Sequence, residues 1–365
     1  MKVAYYAPPA GSRSGVADYA QALLTALRQY GSVEPGARGA DIALYHLGNN
    51  HLHRDIYRRA LAEPGVVVLH DAVLHHFFLG ALSREAYIEE FVYNYGEWNR
   101  ALAADLWQGR AGSGFNQIYF SYPMLKRIAE RSRAVVVHNP AAARMVREHA
   151  RGVTIVEIPH LFTAPEMPAG WEAPRFRQRL GVPPAASLFG VFGYLRESKR
   201  LFSILRAFTA LRRDCPQAVL LIAGQFVSSD LARALAPLLT RPGILRLPYL
   251  SERDFWRAAL AVDACINLRY PAAGETSGIT IRLMGAGKPV LLTAAQENER
   301  YPETACLRVE PGVAEEDSLC QHLDLLTSVQ TCVREIGRRA SEYIAGRHQA
   351  ARVAEQYWGL LCATH

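Results

Sequence analysis

No cysteine precedes Cys215, and the six present (Cys215, Cys265, Cys306, Cys320, Cys332 and Cys362) form no Cys-x-x-Cys pair. Several sit in apolar contexts and read as reduced core thiols, which excludes a disulfide framework or a zinc knuckle as the organising device. No apolar run approaches the roughly 20 residues needed to span a bilayer. The start, Met1-Lys2-Val3-Ala4-Tyr5-Tyr6, reads as a strand and lacks the longer apolar core and cleavage site of a signal peptide, so a cytoplasmic location is expected. The first loop carries no Gly-x-Gly-x-x-Gly, which leaves a nicotinamide reading without support. There is no Asp-x-Asp after a strand and no His-Glu-x-x-His, so neither a metal nor another cofactor is expected. No two carboxylates can be assigned as acid and nucleophile, as glycoside hydrolysis needs.

What is present is enough apolar surface for two cores. The chain has 365 residues, 50% of them hydrophobic, and no low-complexity region, which suits two domains of ordinary size. Its formal net charge is +7. Much of the excess lies in residues 126–151, where Lys126, Arg127, Arg131, Arg133, Arg144, Arg147 and Arg151 face only Glu130 and Glu148. Two readings stand: solvated helix faces, or peripheral docking on the anionic inner face of a membrane. No nucleic-acid recognition motif accompanies the charge, so nucleic acid is not expected as a partner.

Strand and helix patterns alternate. Residues 3–8, 42–47, 66–70, 134–138 and 153–158 read as strands, with helices at 15–28, 56–61 and 141–149. Prolines 165, 168, 174, 183 and 184 then mark a linker with a short Arg-rich helix. A second series follows, with strands at 188–192, 218–223, 244–247, 264–268 and 290–293 and helices at 201–213 and 231–239. Such alternation argues for mainly parallel sheets covered by helices. Residues 74–123 are helical in pattern and crowded with aromatics, most of them core, with Gly109, Gly112 and Gly114 marking a mobile loop. A final helix at 349–361 carries Val353, Tyr357, Leu360 and Leu361 on one side.

Three segments carry candidate chemistry. The most informative runs from Arg269 to Val290, where an apolar strand leads into Glu275-Thr276-Ser277-Gly278-Ile279 and then a helix. A carboxylate beside free backbone N–H groups at a strand end and helix start suits a ligand bearing both hydroxyls and phosphates. A second alternative is that Glu275 only caps that helix. The loop Phe192-Gly193-Tyr194-Leu195-Arg196-Glu197-Ser198-Lys199-Arg200 places cations where a helix opens, which calls for an anion to compensate. In residues 8–19, which include Arg13, the run Ser14-Gly15-Val16-Ala17-Asp18-Tyr19 joins the first strand to the first helix, and Gly15 permits close approach of a ligand. Leu69-His70-Asp71 ends a strand at the face where ligands gather. His138 and His160 also end strands.

These motifs resemble the retaining family 4 (group 1) glycosyltransferases of the GT-B fold. Glu275-Thr276-Ser277-Gly278 stands where the family has Glu-Gly-Phe-Gly; Leu283 occupies the place of its second Glu, so ribose recognition is unassigned. Lys199 matches the family's diphosphate lysine, Tyr194 replaces its arginine, and Arg196 or Arg200 is the candidate substitute. Ser14 to Tyr19 is similar to the Ser-Gly-Ile-Ala-Asp-Tyr loop of bacterial surface-polysaccharide mannosyltransferases. The resemblance implies an α/β protein with two Rossmann-like domains facing an interdomain cleft: an acceptor domain at 1–165, a linker and donor domain at 166–345, and a returning helix at 346–365. It implies metal-independent hexose transfer from a nucleotide-diphosphate sugar to a glycan or lipid-linked acceptor. His70, Lys199 and Glu275 are the expected catalytic residues. Ser14, Gly15, Gly193, Arg196, Arg200, Thr276, Ser277, Gly278 and Ile279 are the expected donor-binding ones. GDP-mannose is the first donor the N-terminal loop suggests; UDP-glucose and UDP-N-acetylglucosamine stay open. So do a nucleotide-sugar epimerase and a non-catalytic sugar-nucleotide-binding relative.

Overall fold

Short apolar runs rich in Val, Ile and Leu, too short for buried helices, form most strands of two all-parallel sheets in the computed structural model, which describes residues 1–12, 14–167 and 170–365. Arg13 of the first loop and Pro168 of the proline-rich stretch lie outside the described residues. The chain divides into two compact units. The first comprises Met1–Leu161, Pro271–Gly278 and Arg347–His365; the second comprises Phe162–Tyr270 and Ile279–Gly346.

The first unit holds β1 (Lys2–Tyr6), β2 (Ser32–Pro35), β3 (Ile42–Leu47), β4 (Val66–Leu69), β5 (Ala134–Val137) and β6 (Ile155–Glu157), in the order β2-β1-β3-β4-β5-β6. Its helices are α1 (Gly15–Leu27), α2 (Arg54–Ala62), α3 (His75–Ala81), α4 (Arg84–Tyr95), α5 (Arg100–Gln108), α6 (Lys126–Arg131) and α7 (Pro140–His149). Both faces of the sheet are buried: Val67, Leu69, Val135 and Val137 pack under the aromatics of residues 77–119, while Val3, Val66, Val68 and Val136 pack under α1. Of the aromatics in that helical region, Phe77, Phe78, Tyr87, Phe91 and Tyr119 are buried, whereas Trp98 and Phe115 are exposed.

The second unit holds α8 (Ala173–Arg179), β7 (Leu188–Phe192), α9 (Leu201–Asp214), β8 (Val219–Ala223), α10 (Ser229–Leu239), β9 (Ile244–Leu247), α11 (Glu252–Ala261), β10 (Ala264–Asn267), α12 (Gly278–Gly285), β11 (Val290–Thr293), β12 (Leu307–Val309), α13 (Glu315–Ser328) and α14 (Gln330–Arg347), with strand order β12-β11-β10-β7-β8-β9. The closing helix α15 (Ala350–Thr364) packs on α1 in the first unit, burying Val353, Ala354, Tyr357 and Leu361. There Tyr357 and Tyr19 share a hydrogen bond of 3.0 Å between their hydroxyls.

Strand order locates the ligand-facing edge of each sheet. Connections run outward in opposite directions from β1 and β3 in the first unit, and from β7 and β10 in the second. Loops at the carboxyl ends of such a pair diverge and leave a crevice. Residues 7–14 follow β1, residues 193–200 follow β7, and residues 268–277 follow β10. Among the described residues no helix is long and apolar enough to cross a membrane.

Candidate functional site

In the second unit, the switch point between β7 and β10 is lined by polar groups tied to one another. Lys199 is 5% exposed, and its Nζ donates to Oδ1 of Asn267, at the end of β10, at 3.1 Å. Asn267 in turn donates from Nδ2 to Thr280 Oγ1 on the first turn of α12, at 2.7 Å. This fixes the amide: its oxygen faces the cation and its nitrogen faces the hydroxyl. A buried ammonium and the start of an eight-residue helix therefore meet at the carboxyl edge of the sheet, and both favour an anion. Nothing in the sequence marks Asn267 or Thr280 beyond the position of Asn267 at a strand end.

Gly193 follows β7 with φ +92, a conformation that L side chains rarely adopt, and a Cβ there would lie 2.6 Å from Ile279 Cδ1. Two of the expected donor residues, Gly193 and Ile279, are thus packed together. The other two cations differ from one another. Arg200, itself at φ 58, donates Nε to both carboxylate oxygens of buried Glu315, at 2.9 and 3.0 Å. Arg196 is exposed, with its guanidinium 6.0 Å from the Tyr194 ring. Leu283 is fully buried in the core of the unit. Neighbouring Arg282 lies over Phe255 and Trp256 and pairs with Glu252.

The loop carrying Glu275 belongs to the first unit. Glu275 is half-buried, and its Oε2 accepts the Ala273 N–H at 2.6 Å. The carbonyl of Ala273 accepts the N–H groups of Ala72 and Val73, at 2.8 and 3.0 Å, just beyond His70 and β4. Asn139, at the end of β5, donates to the Gly274 carbonyl and to Thr276 Oγ1. Gly274 has φ +69, and a Cβ on it would meet Ala72 Cβ at 2.7 Å. Ser277 is buried, and Gly278 opens α12 with His160 Nε2 3.4 Å from the place of a Cβ.

His70 lies in a histidine cluster that parallel topology assembles from four strand ends. Its Nε2 is 2.9 Å from His46 Nδ1 on β3, with the rings stacked. His138 after β5 and His160 after β6 complete the group around the buried ring of Tyr19. Burial pushes His46 down to about 3 and His138 to about 4; burial and then the neighbouring imidazoles hold His70 well below its usual value. His46, His70 and His138 are therefore neutral at pH 7, able to offer hydrogen bonds but not a positive charge. Among the described residues no group of three or more His, Cys, Asp or Glu is arranged to hold a metal ion. Asp71 accepts the Asn49 N–H at 2.8 Å and so ties the exits of β3 and β4 together.

Ser14 is the extended residue before α1, and Gly15 opens that helix with nothing among the described residues within 4 Å of where a Cβ would stand. In the basic stretch, Arg127 pairs with buried Glu90, Arg131 donates to the Leu61 carbonyl and Arg133 to that of Thr364. These charges partly serve packing of the first unit.

No protein-family model matches the chain, and no curated protein sequence matches it. Solved structures do. Anabaena HepE, in a structure with UDP and glucose, is similar at TM-score 0.67 and 15% identity, over 100% of both chains. Sucrose-phosphate synthase from Thermosynechococcus elongatus is similar at TM-score 0.67 and 14% identity, over 99% of this chain and 98% of its own. WaaG, a glycosyltransferase involved in lipopolysaccharide biosynthesis, is similar at TM-score 0.61 and 13% identity, over 98% and 99%. At these identities the likeness shows the fold: α/β, of the GT-B type, with two Rossmann-like units.

Proposed function

We propose that this protein is a glycosyltransferase of the family 4 type that moves a hexose from a nucleoside-diphosphate sugar to a glycan or lipid-linked acceptor, with retention at the anomeric carbon. The observation that carries the reading is the switch point of the second unit, where buried Lys199, held by Asn267, meets the first turn of α12. That combination suits a diphosphate, whose charge grows as the glycosidic bond breaks. The amides of Thr276, Ser277, Gly278 and Ile279 are assigned to the same group, and the Glu275 carboxylate to hydroxyls of the transferred sugar. Neutral His70 is assigned to a hydrogen bond with that sugar, and Ser14 and Gly15 to donor binding.

In the reaction the bond from the anomeric carbon to the phosphate oxygen breaks. A bond to the acceptor oxygen forms on the same face, and the acceptor's proton passes to the departing phosphate. The acceptor is assigned to residues 1–165 and the nucleotide of the donor to residues 166–345, at the inner surface of a membrane if the acceptor is lipid-linked. With Arg200 engaged by Glu315, Arg196 is the cation assigned to the place that Tyr194 vacates. The HepE structures with UDP and UDP-glucose support UDP-sugars as donors beside GDP-mannose, which the N-terminal loop suggests.

A thermal-shift panel of UDP-glucose, UDP-N-acetylglucosamine and GDP-mannose tests the proposal, because a donor bound only by the folded state raises Tm by mass action. No shift with any of them at millimolar concentration would count against it. Metal independence belongs to the same proposal: turnover should be unchanged in excess EDTA, and loss of turnover restored by a divalent ion would refute it. Burial of Leu283 favours one second reading, a sugar-nucleotide-binding relative without turnover. Slow hydrolysis of a bound donor separates the two.

A further inference from the structure

Asn139 caps α7: its Oδ1 accepts the Ala142 N–H at 2.8 Å, and its side chain is buried at the end of β5. Capping does not explain the choice of residue, because Ser and Asp cap helices about equally well. The other end of the amide does. With Oδ1 fixed by the cap, Nδ2 is the donor, and it reaches the Gly274 carbonyl at 2.9 Å and Thr276 Oγ1 at 3.1 Å. Ionised Asp has no proton to give, and Ser has one, on a shorter arm. Only an amide can cap the helix and donate twice at this position.

The two oxygens it holds flank Glu275 on either side. Other ties act on the same backbone: Ala72 and Val73 grip the Ala273 carbonyl, and Gly274 is wedged against Ala72 and Met145. Glu275 itself accepts from the Ala273 N–H, so the direction of its carboxylate depends on the path of residues 273–276. We propose that Asn139 is a positioning residue that couples the rigid end of α7 to this loop and aims the Glu275 carboxylate. The inference rests on the assignment of Glu275 to the transferred sugar given above.

Asn139→Ser keeps the cap and removes the two donations; Asn139→Asp keeps it by a second route and guards against a packing defect peculiar to Ser. Hydrogen exchange in residues 271–278 should quicken in both variants by at least roughly tenfold, while exchange at the Ala142 amide stays as in the wild type. Hydrolysis of UDP-glucose, with GDP-mannose alongside, should lose about tenfold or more in kcat with little change in KM. Combined with Glu275→Gln, the losses should be far less than multiplicative, because both act through one carboxylate. Unchanged exchange in 271–278 would overturn the inference, as would losses that multiply. Were Glu275→Gln to hydrolyse normally while exchange still quickened in the Asn139 variants, the clamp would stand and the sugar role of Glu275 would fall.

Discussion

Glu275 and Lys199 do different work in the proposed reaction, and single substitutions should separate them. Glu275→Gln keeps the shape but weakens a charge-assisted hydrogen bond worth about 1.5–3 kcal/mol, so turnover should fall at least roughly tenfold while UDP affinity changes little. Lys199→Ala should weaken UDP binding as well as turnover. It also removes the 3.1 Å donation to Asn267 Oδ1, a hydrogen bond from a charged group worth about 1.5–3 kcal/mol. Calorimetric UDP titrations and denaturant unfolding of each variant check this. Equal loss of UDP affinity in both would contradict the division of labour. Lys199 and Glu275 were legible in the sequence because each stands in a local motif. Asn267, Thr280, His46 and Asn139 were not, because nothing in their neighbours distinguishes them. Each acquires its long-range partner only when the chain folds, between residues as far apart in sequence as 139 and 274.

At the scale of elements, the loop at 271–278 is the most constrained piece of the candidate site. Gly274→Ala would force an L side chain into φ +69 against Ala72, with about 1–3 kcal/mol of strain. Unfolding should shift by that order, and turnover should fall with it. A variant of normal stability and turnover would show that the loop relaxes freely. The interior strands are readable because both their faces are buried and their apolar runs are continuous; Ile42–Leu47, Leu188–Phe192 and Val290–Thr293 match the expected bounds residue for residue, and so does the half-buried edge strand Ile244–Leu247. Two edge strands escape this reading. In Ser32–Pro35 only Val33 is buried, and Leu307–Val309 is three residues long, so neither carries a pattern. An edge strand is specified by the neighbour it pairs with more than by its own side chains.

For the whole molecule, histidine is unevenly shared: of the 12 in the chain, all but His322 belong to the first unit. Burial holds His46 at about 3 and His53, His75 and His138 at about 4. In the unfolded chain these groups titrate near 6.5, so below that pH the unfolded state binds protons that the folded state refuses. Their contribution is complete above pH 6.5 and is lost as pH falls towards 4, at up to about 1.4 kcal/mol per pH unit for each histidine. Acid should therefore open the first unit before the second, visible as early loss of exchange protection in residues 1–161 between pH 6.5 and 4.5. A uniform loss across both units, or a flat Tm from pH 7 to 5, would contradict this.

The central claim is a donor site that cleaves a sugar nucleotide with retention. Proton NMR of UDP-glucose incubated with the protein, read before mutarotation, tests it most directly. The expected result is release of UDP with glucose first seen as the α-anomer, slowed at least about tenfold in Glu275→Gln. Glucose first seen as the β-anomer, or release unaffected by Glu275→Gln, would contradict the account.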